Sequence, residues 1–384
     1  MSSAPDVDRL IIHQFDPATP SPGGIDTCIR GICKYAPPGV SLAVVGVDAG
    51  RGPVERKLGV WEDYKIGDRT LRFLPVARLD PSEQMNRRIP HSVRLLAGII
   101  RYRSRLPRSN FIQVHRADTA FALRNLLKRE LIYFIHTQDD GITSKSSDSF
   151  WTKAASIHRS IERSVIRNAN QNIVFNRQYA EEVTKLNAST MFSPTWYDPA
   201  VVKSRSSESE NYQIAWVGRL EKPKDPLLAI QVFDRLIANG DGLPWKLVVV
   251  GSGSLQEDLL ERVSTFPQSQ NQGVVLCGRL TPREVAKKLA SCRYFLMTSF
   301  PGYEGYPRVL VEAMAAGLVP VVTEGCDTGH LIEDAVNGFV TDRNPENIAE
   351  RLRNADTIDS ARPGLAVESL SAPNVIEAIF KGGV

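Results

Sequence analysis

Beyond residue 211 the sequence alternates short apolar runs with longer segments of helical periodicity, and this alternation restricts the fold more than any other feature. Lys246–Val250 is such a run, and the residues after its lysine are all apolar. Strands that are apolar at consecutive positions are typical of parallel sheets with helices on both faces. The second half is therefore predicted to be a doubly wound α/β domain, which binds ligands outside the carboxyl ends of its strands.

The predicted elements follow one another as strand and helix. In the second half the predicted strands are Gln213–Val217, Lys246–Val250, Val274–Cys277, Tyr294–Thr298, Val319–Thr323 and Phe339–Thr341. The predicted helices there are Pro226–Ala238, Leu255–Val263, Pro282–Ser291, Arg308–Ala316 and Pro345–Asn354. The first half repeats the pattern less cleanly, with strands predicted at Leu10–Phe15, Ser41–Val47, Phe111–Val114, Leu131–Ile135 and Asn172–Phe175.

A polar, Ser-rich stretch at residues 203–211 separates the two halves, as a linker would. We predict two Rossmann-like domains with a cleft between them, an acceptor-side domain over 1–205 and a donor domain over 206–384. The last helix of the chain is allowed to cross back to the first domain. A chain of 384 residues with 42% hydrophobic residues has enough apolar material for two such cores.

Composition excludes several classes of protein. The five cysteines are scattered and odd in number, so they indicate neither a zinc site nor a disulfide framework. The sequence has no run of about 18 apolar residues and no basic-then-apolar start, so we expect a cytoplasmic protein without a transmembrane helix. Residues 1–205 carry 30 Lys and Arg against 20 Asp and Glu, whereas the remainder carries 17 against 23. We therefore expect the first half to meet something anionic.

The segment from Phe300 to Gly317 carries the most chemical information. It follows a predicted strand and opens a helix, whose free amides and positive dipole end suit a diphosphate. Glu304 lies in the loop and Glu312 lies one helical turn after Arg308, so both carboxylates can accept hydrogen bonds from sugar hydroxyls. Two solvated acids on an ordinary helix are the alternative. The candidate donor-binding residues of this segment are Gly305, Tyr306, Arg308, Val309, Leu310 and Glu312.

This segment closely resembles the E-x7-E signature of glycosyltransferase family 4, a family of retaining enzymes with the GT-B fold. The resemblance covers most of residues 212–342 and fragments of the first half. It implies transfer of a hexose from a UDP- or GDP-linked donor to a hydroxyl of a glycan, lipid-linked or small-molecule acceptor. It also implies that Glu304 orients the hexose and Glu312 the ribose. No separate cofactor is expected, because the nucleotide-sugar is the donor substrate.

Two cations follow the first strand of the second half. The guanidinium of Arg219 can fork across phosphate oxygens, while Lys224 supplies a point charge. In the resembled family the matching residues hold the donor diphosphate, and Lys222 is a second choice at a less fitting spacing. We predict that the catalytic residues are Arg219, Lys224, Glu304 and His136.

Glycine loops follow three further strands, where they allow a ligand to approach the backbone closely. The candidate donor-binding residues in these loops are Gly23, Gly24, Gly251, Gly253, Gly278 and Arg279. In the resembled family the first pair closes over the donor and the last pair cradles the base. Plain turns, and a surface role for Arg279, are the alternatives.

His136 ends an apolar run, and a polar residue at the carboxyl end of a strand points to the ligand. The resembled family often has a histidine there that contacts the sugar, although a structural histidine is the alternative. His115 has a similar but weaker setting. Asp139 and Asp140 are too few to hold a hard cation, so no catalytic metal is predicted.

Two other functions remain open from the sequence. A dinucleotide-dependent oxidoreductase needs a G-x-G-x-x-G loop, and Gly251-Ser-Gly253 lacks the third glycine. A non-catalytic nucleotide-sugar-binding protein would share most of the motifs. The aromatic and basic interleaving of nucleic-acid modules is missing, so no nucleic-acid partner is expected.

Residues 86–108 contain seven arginines and no acidic residue. The spacing of Val93, Leu96, Ile99 and Ile100 predicts one apolar face on a basic helix. Such a helix can lie on an anionic membrane surface, here the inner face of the membrane. Packing into the core with a solvated basic face is the alternative.

Overall fold

The structure is a computed structural model that describes residues 6–20, 23–79, 91–136, 155–205, 212–238, 242–267 and 273–382. The chain divides into two compact units, residues 1–193 with 376–384 and residues 194–375. The predicted domain boundary lies after residue 205. Residues 194–205 are counted with the second unit because Val202 packs in its core and the Arg205 amide donates to the Ala316 carbonyl (2.9 Å).

The described part of the first unit contains an eight-stranded sheet in the order β3-β4-β2-β1-β5-β6-β7-β8. All neighbouring strands are parallel except β3 and β4, which form an antiparallel hairpin. The strands are β1 (Val7–Ile12), β2 (Leu42–Asp48), β3 (Glu62–Ile66), β4 (Arg69–Arg78), β5 (Ser109–Val114), β6 (Glu130–Ile135), β7 (Gln171–Val174) and β8 (Thr190–Phe192). The helices are α1 (Gly24–Tyr35), α2 (His91–Arg101), α3 (Ala117–Leu127), α4 (Ala155–Asn168) and α5 (Arg177–Leu186).

The second unit has a parallel six-stranded sheet over its described residues, in the order β11-β10-β9-β12-β13-β14. Its strands are β9 (Gln213–Val217), β10 (Lys246–Val250), β11 (Val274–Leu276), β12 (Tyr294–Met297), β13 (Val319–Thr323) and β14 (Phe339–Thr341). The helices are α6 (Pro226–Ala238), α7 (Gln256–Ser264), α8 (Pro282–Ser291), α9 (Arg308–Ala315), α10 (Pro345–Asn354) and α11 (Ala361–Ala366).

Helices cover both faces of the second sheet, as the consecutive apolar residues predict. Ile214 and Trp216 of β9 pack on one side with residues of α6 and α10. Ala215 between them packs on the other side with residues of α8 and α9. The side chains of each strand are therefore buried alternately on the two faces of the sheet. Polar side chains lie mainly in the loops at the ends of the strands.

The last helix, α12 (Ala372–Lys381), carries the chain to the end of the described residues. Residues 376–384 count with the first unit. The Arg9 guanidinium lies 4.0 Å from the ring centre of Phe380, and the Gln171 side chain donates to the Gly382 carbonyl (3.1 Å). The C-terminal end of the chain is thus packed against residues of β1 and β7.

The prediction that Val93, Leu96, Ile99 and Ile100 form one apolar face of the basic helix is wrong. Within α2 the buried apolar side chains are Leu95 and Ile99, whereas Val93 is 50% exposed and Ile100 is 54% exposed. The helix packs closely on β4 at Gly98, where a Cβ atom would lie 2.2 Å from the Val76 carbonyl oxygen. That contact turns the Leu95–Ile99 side towards the sheet. Residues 86–90 lie outside the described residues.

Candidate functional site

The candidate site of the second unit lies where the strand order reverses. The chain runs from β9 outwards to β10 and β11, and then returns to the other side of β9 with β12. Such a switch point leaves a crevice at the carboxyl ends of the two central strands. The loop after β9 carries Arg219 and Lys224, and the loop after β12 carries Glu304, so the candidate catalytic residues of this unit flank the switch point.

A buried hydroxyl joins these two loops. Thr298, which is 0% exposed, has its Oγ1 2.9 Å from the Lys224 carbonyl oxygen and 2.7 Å from that of Asp225. The Trp216 Nε1–H donates to the same hydroxyl (2.9 Å). Because Thr298 begins the loop after β12, the backbone beside Lys224 is held against that loop.

Arg343, in the loop after β14, makes a second connection. Its Nη1 donates to the carbonyls of Thr298 (2.8 Å) and Ser299 (2.9 Å), and its Nη2 forms an ion pair with Asp225. Asp225 has a left-handed backbone (φ 46°), which is uncommon outside glycine but tolerated by aspartate. Arg343 therefore stabilises the turn that directs Lys224.

Lys224 and Glu304 form an ion pair, although they are far apart in the sequence. Ser299 Oγ donates to the same carboxylate oxygen, Oε1 (2.6 Å), and Glu304 is only 9% exposed. Lys222 is exposed on the short 3-10 turn before Lys224. The structure thus brings together the cation that the spacing favoured and the first carboxylate of the motif.

Tyr303, which was not predicted as a site residue, orients Arg219. The Tyr303 hydroxyl accepts a hydrogen bond from Arg219 Nη2, and Lys224 Nζ lies 5.7 Å from the centre of the same ring. Arg219 is exposed and has no carboxylate partner among the described residues. The one signal in the sequence was the position of this aromatic residue immediately before Glu304.

Gly251 and Gly253 are required by the packing of their own loop. A Cβ atom on Gly251 would lie 1.8 Å from the Gly218 carbonyl oxygen, and one on Gly253 would lie 2.4 Å from that of Leu220. The Gly251 amide also donates to the Gly278 carbonyl (2.9 Å). These glycines therefore hold the loops after β9, β10 and β11 side by side.

Gly278 and Arg279 occupy the outer end of this loop cluster. Gly278 has φ 65°, and a Cβ atom there would meet nothing within 4 Å. Arg279 is exposed. Both the surface role and the base-binding role of Arg279 are compatible with this position.

The helix α9 begins directly after the motif loop. The Thr328 hydroxyl donates to the Gly305 carbonyl (2.8 Å), and Gly329 packs on the Tyr306 ring, where a Cβ atom would lie 2.7 Å from it. Gly305 and Tyr306 are therefore held by the loop that follows β13.

The first amides of α9 are those of Arg308 and Val309, and amides at these positions have no partner within a helix. The Leu310 amide donates to the Pro307 carbonyl (3.0 Å), and its side chain is 0% exposed. Leu310 is thus a core residue whose amide is already used. An anion at this helix end would meet Arg308 and Val309 first.

Glu312 lies one turn along α9 from Arg308. Burial raises the pKa of its carboxyl to about 7, while the Arg308 charge lowers it and the Asp198 charge raises it. Arg308 itself lies over the Trp196 ring, 5.4 Å from its centre. The second carboxylate of the motif is therefore kept in an environment that disfavours its charge.

In the first unit Gly23 and Gly24 stand at the start of α1. A Cβ atom on either would meet nothing within 4 Å, so the packing of the described residues does not require glycine here. The Gly23 carbonyl accepts from the Thr27 hydroxyl (3.1 Å) and amide (3.2 Å). Open space beside a helix start is compatible with the predicted approach of a ligand.

His136 follows β6 and is in contact with His115, which follows β5. His115 Nδ1 lies 2.8 Å from His136 Nε2, and burial lowers the pKa of His115 well below its usual value. Cys28 lies close to both, with the three potential ligand atoms within 4.8 Å of one another. The two histidines are therefore joined by a hydrogen bond in which His136 Nε2 takes part. Asp139 and Asp140 lie outside the described residues.

Residues 211–355 match the family model described as glycosyl transferases group 1. The chain is 30% identical over 128 residues to the amylovoran biosynthesis glycosyltransferase AmsD of Erwinia amylovora. It is 27% identical over 174 residues to the GDP-mannose:cellobiosyl-diphosphopolyprenol alpha-mannosyltransferase of Komagataeibacter xylinus. These matches cover 33% and 45% of this chain, and 33% and 42% of the relatives' own lengths.

Solved structures resemble the chain over nearly its whole length. HepE of Anabaena in complex with UDP and glucose has a TM-score of 0.68 at 16% identity, covering 98% of both chains. Sucrose-phosphate synthase of Thermosynechococcus elongatus has a TM-score of 0.68 at 14% identity, covering 97% of both. The predicted fold class, α/β with the two Rossmann-like domains of GT-B glycosyltransferases, is confirmed.

The raised pKa of Glu312 leads to a prediction about stability. Its folded-state pKa of about 7 exceeds the ordinary value of 4.5, so ionisation of the carboxyl disfavours the folded state. This penalty is complete above pH 7 and disappears as the pH falls towards 4.5. We expect Glu312→Gln to raise the free energy of unfolding at pH 8 by roughly 1–3 kcal/mol, with allowance for partial exposure, and to change it little at pH 4.

Chemical denaturation at the two pH values measures this difference. The matched control is Glu350→Gln, on an exposed position of α10, which should change stability at neither pH. An equal effect of Glu312→Gln at pH 8 and pH 4 would show that its carboxyl has an ordinary pKa.

Proposed function

We propose that the chain is a retaining hexosyltransferase that uses a UDP- or GDP-linked sugar and a hydroxyl acceptor. The observation that carries this proposal is the Lys224–Glu304 ion pair at the switch point of the second sheet, with Arg219 beside it. The pair joins a cation, the type of group that neutralises phosphate charge, to a carboxylate, the type of group that accepts hydrogen bonds from sugar hydroxyls, and this supports the proposal. The match of residues 211–355 to group 1 glycosyl transferases supports the same chemistry.

In this proposal the leaving diphosphate is stabilised by Arg219, Lys224 and the first amides of α9. A cluster of fixed positive groups lowers the barrier most where negative charge develops. Because these groups already supply positive charge, we propose that the reaction does not require a metal ion. The donor phosphate itself accepts the proton of the acceptor hydroxyl, which leads to transfer on the same face of the sugar.

Lys224 and Ser299 both donate to Oε1 of Glu304, whereas its Oε2 has no partner among the described residues. We assign this oxygen to a hydroxyl of the hexose, and Glu312 to the ribose. The proposed donors follow from the relatives, since HepE is solved with UDP and the Komagataeibacter enzyme is named for GDP-mannose. That enzyme is also named for a diphosphopolyprenol acceptor, which supports a lipid-linked glycan as acceptor.

Nucleotide binding tests the donor side of the proposal. Arg219→Ala and Lys224→Ala should each weaken the binding of UDP or GDP at least tenfold, yet leave the binding of the corresponding nucleoside nearly unchanged. The reason is that both cations address phosphate oxygens rather than the base or ribose. Isothermal titration calorimetry measures both ligands, and Lys222→Ala is the matched control. Equal losses for nucleotide and nucleoside would remove both cations from the phosphate site.

Turnover tests the role of Glu304. With any donor that the binding screen selects, Glu304→Gln should lower the rate of nucleotide release at least tenfold, the loss of about 1.4 kcal/mol of transition-state stabilisation. Glu350→Gln should retain the wild-type rate, and activity should survive EDTA. A wild-type rate in Glu304→Gln would contradict its assigned role, and loss of activity with EDTA would contradict the metal-independent mechanism.

Vesicle binding tests a membrane acceptor. No helix among the described residues is long and apolar enough to cross a bilayer. The exposed Val93 and Ile100 of α2 are followed by the exposed residues Arg101, Arg103 and Arg105. Each cation near an anionic surface adds about 1 kcal/mol. We expect the protein to sediment with anionic vesicles. Its affinity for the vesicles should fall at least tenfold when the three arginines become serine.

The control for this experiment replaces three exposed cations of the other unit by serine, namely Arg283, Lys287 and Arg362. High salt should release the wild-type protein, because exposed charges are screened. Wild-type protein that stays in the supernatant at low salt would favour a soluble acceptor.

A further inference from the structure

Four side chains of the first unit form one continuous chain of hydrogen bonds. Arg9 Nη1 donates to Gln113 Oε1 (3.3 Å), Gln113 Nε2 lies 2.9 Å from His115 Nε2, and His115 Nδ1 lies 2.8 Å from His136 Nε2. The first three of these residues are buried, with Gln113 at 0% exposure. We propose that Gln113 and His115 are positioning residues that hold His136 in the tautomer with its proton on Nδ1.

The direction of the chain follows from its first member. An arginine can only donate hydrogen bonds, so the Gln113 side chain must turn its oxygen to Arg9 and its NH₂ group to His115. His115 Nε2 must then accept, and a neutral imidazole that accepts at Nε2 carries its proton on Nδ1. This Nδ1–H donates to His136 Nε2, so His136 in turn carries its own proton on Nδ1.

The surroundings keep the His115 ring neutral and fix the direction of the chain. Burial lowers the pKa of His115 well below its usual value, and the charges of His136 and His13 lower it further. Arg9 stands at the far end of the chain as a fixed donor. Arg9 is itself 3% exposed, with its guanidinium 4.0 Å from the ring centre of Phe380. A chain anchored at a fixed cation cannot reverse its direction without breaking the first bond.

The orientation of the His136 ring is held from two sides. Its centre lies 5.1 Å from that of His115 with the planes inclined by 26°, so the two rings meet edge to edge as a hydrogen bond requires. The Phe175 ring lies 4.8 Å away at 28°. The Nδ1–H of His136 therefore has a defined direction, on the edge of the ring turned away from His115.

The inference rests on the proposed function for its chemical meaning. If His136 contacts the transferred sugar, the chain makes it a hydrogen-bond donor, and the matching ligand group is an oxygen with a lone pair, such as a hydroxyl. A His136 ring that could carry its proton on either nitrogen would lose part of this hydrogen bond to the ligand.

Two-bond ¹H–¹⁵N spectra of the histidine-labelled protein test the tautomer directly, with His115→Gln and His136→Gln used for assignment. We expect the Nδ1–H pattern for both rings of the wild-type protein at neutral pH. An Nε2–H pattern for His136 in the wild type would overturn the inference, and so would stoichiometric zinc bound to Cys28 and the two histidines. This measurement needs no variant beyond those used for assignment and no turnover.

Gln113→Glu reverses the donor at one position with almost no change of shape. A carboxylate cannot donate to His115 Nε2 but accepts from it, so His115 should change to the Nε2–H tautomer, because burial disfavours the imidazolium. We expect the spectrum of His136 to change with it. Gln171→Glu, the same substitution on β7, two strands away from β5, should leave both histidines unchanged, and an unchanged His136 in folded Gln113→Glu would contradict the proposal.

Kinetics separate a failure of this inference from a failure of the proposed function. Gln113→Glu should lower kcat/KM at least tenfold, and combining it with His136→Gln should cost no more than His136→Gln alone, because both act through one contact. Additive losses would overturn the positioning role. A wild-type protein that shows the Nδ1–H tautomer but turns over no nucleotide-sugar would refute the proposed function alone.

Discussion

The site of the second unit depends on one buried hydroxyl, that of Thr298. It lies at the end of β12 and contacts two carbonyls of the loop after β9, so it joins the two strands between which the sheet reverses its order. Without this link the cation of one loop and the carboxylate of the other would belong to independent segments. A buried hydroxyl with both donor and acceptor bonds is rigid, because leaving either unpaired in the core would be costly.

Around this link the unit contains several groups in unfavourable states. Asp225 adopts a left-handed backbone, Glu304 and Lys224 are a pair with little exposure, and burial raises the pKa of Glu312. A buried ion pair or an acid shifted by burial contributes little to folding, because desolvation opposes the attraction. Such groups are typical of sites where a ligand supplies the missing interactions, since strain and perturbed acids cluster at functional positions.

The sequence was most informative where backbone pattern and chemistry coincide. In the second unit β9, β10, β13 and β14 have the predicted bounds, because each is a short apolar run between turn residues. The hairpin of β3 and β4 was missed, since β3 is a half-exposed edge strand with the polar sequence Glu-Asp-Tyr-Lys-Ile. The apolar face of α2 was predicted wrongly, because helical spacing does not reveal that Gly98 lets the helix approach β4.

The candidate site shows the same division between local and distant information. Lys224 and Glu304 could be singled out by spacing, but their ion pair joins residues from different strands, which periodicity does not reveal. Arg343, Tyr303 and Gln113 were not predicted as site residues. Arg343 and Tyr303 contact residues that are remote in the sequence, and Gln113 has no motif around it. In each case a motif residue is recognisable alone, whereas the group that fixes its direction is defined only by the fold. The residue types of the candidate site can therefore be predicted from the sequence, whereas their relative geometry depends on how the ends of the parallel strands meet.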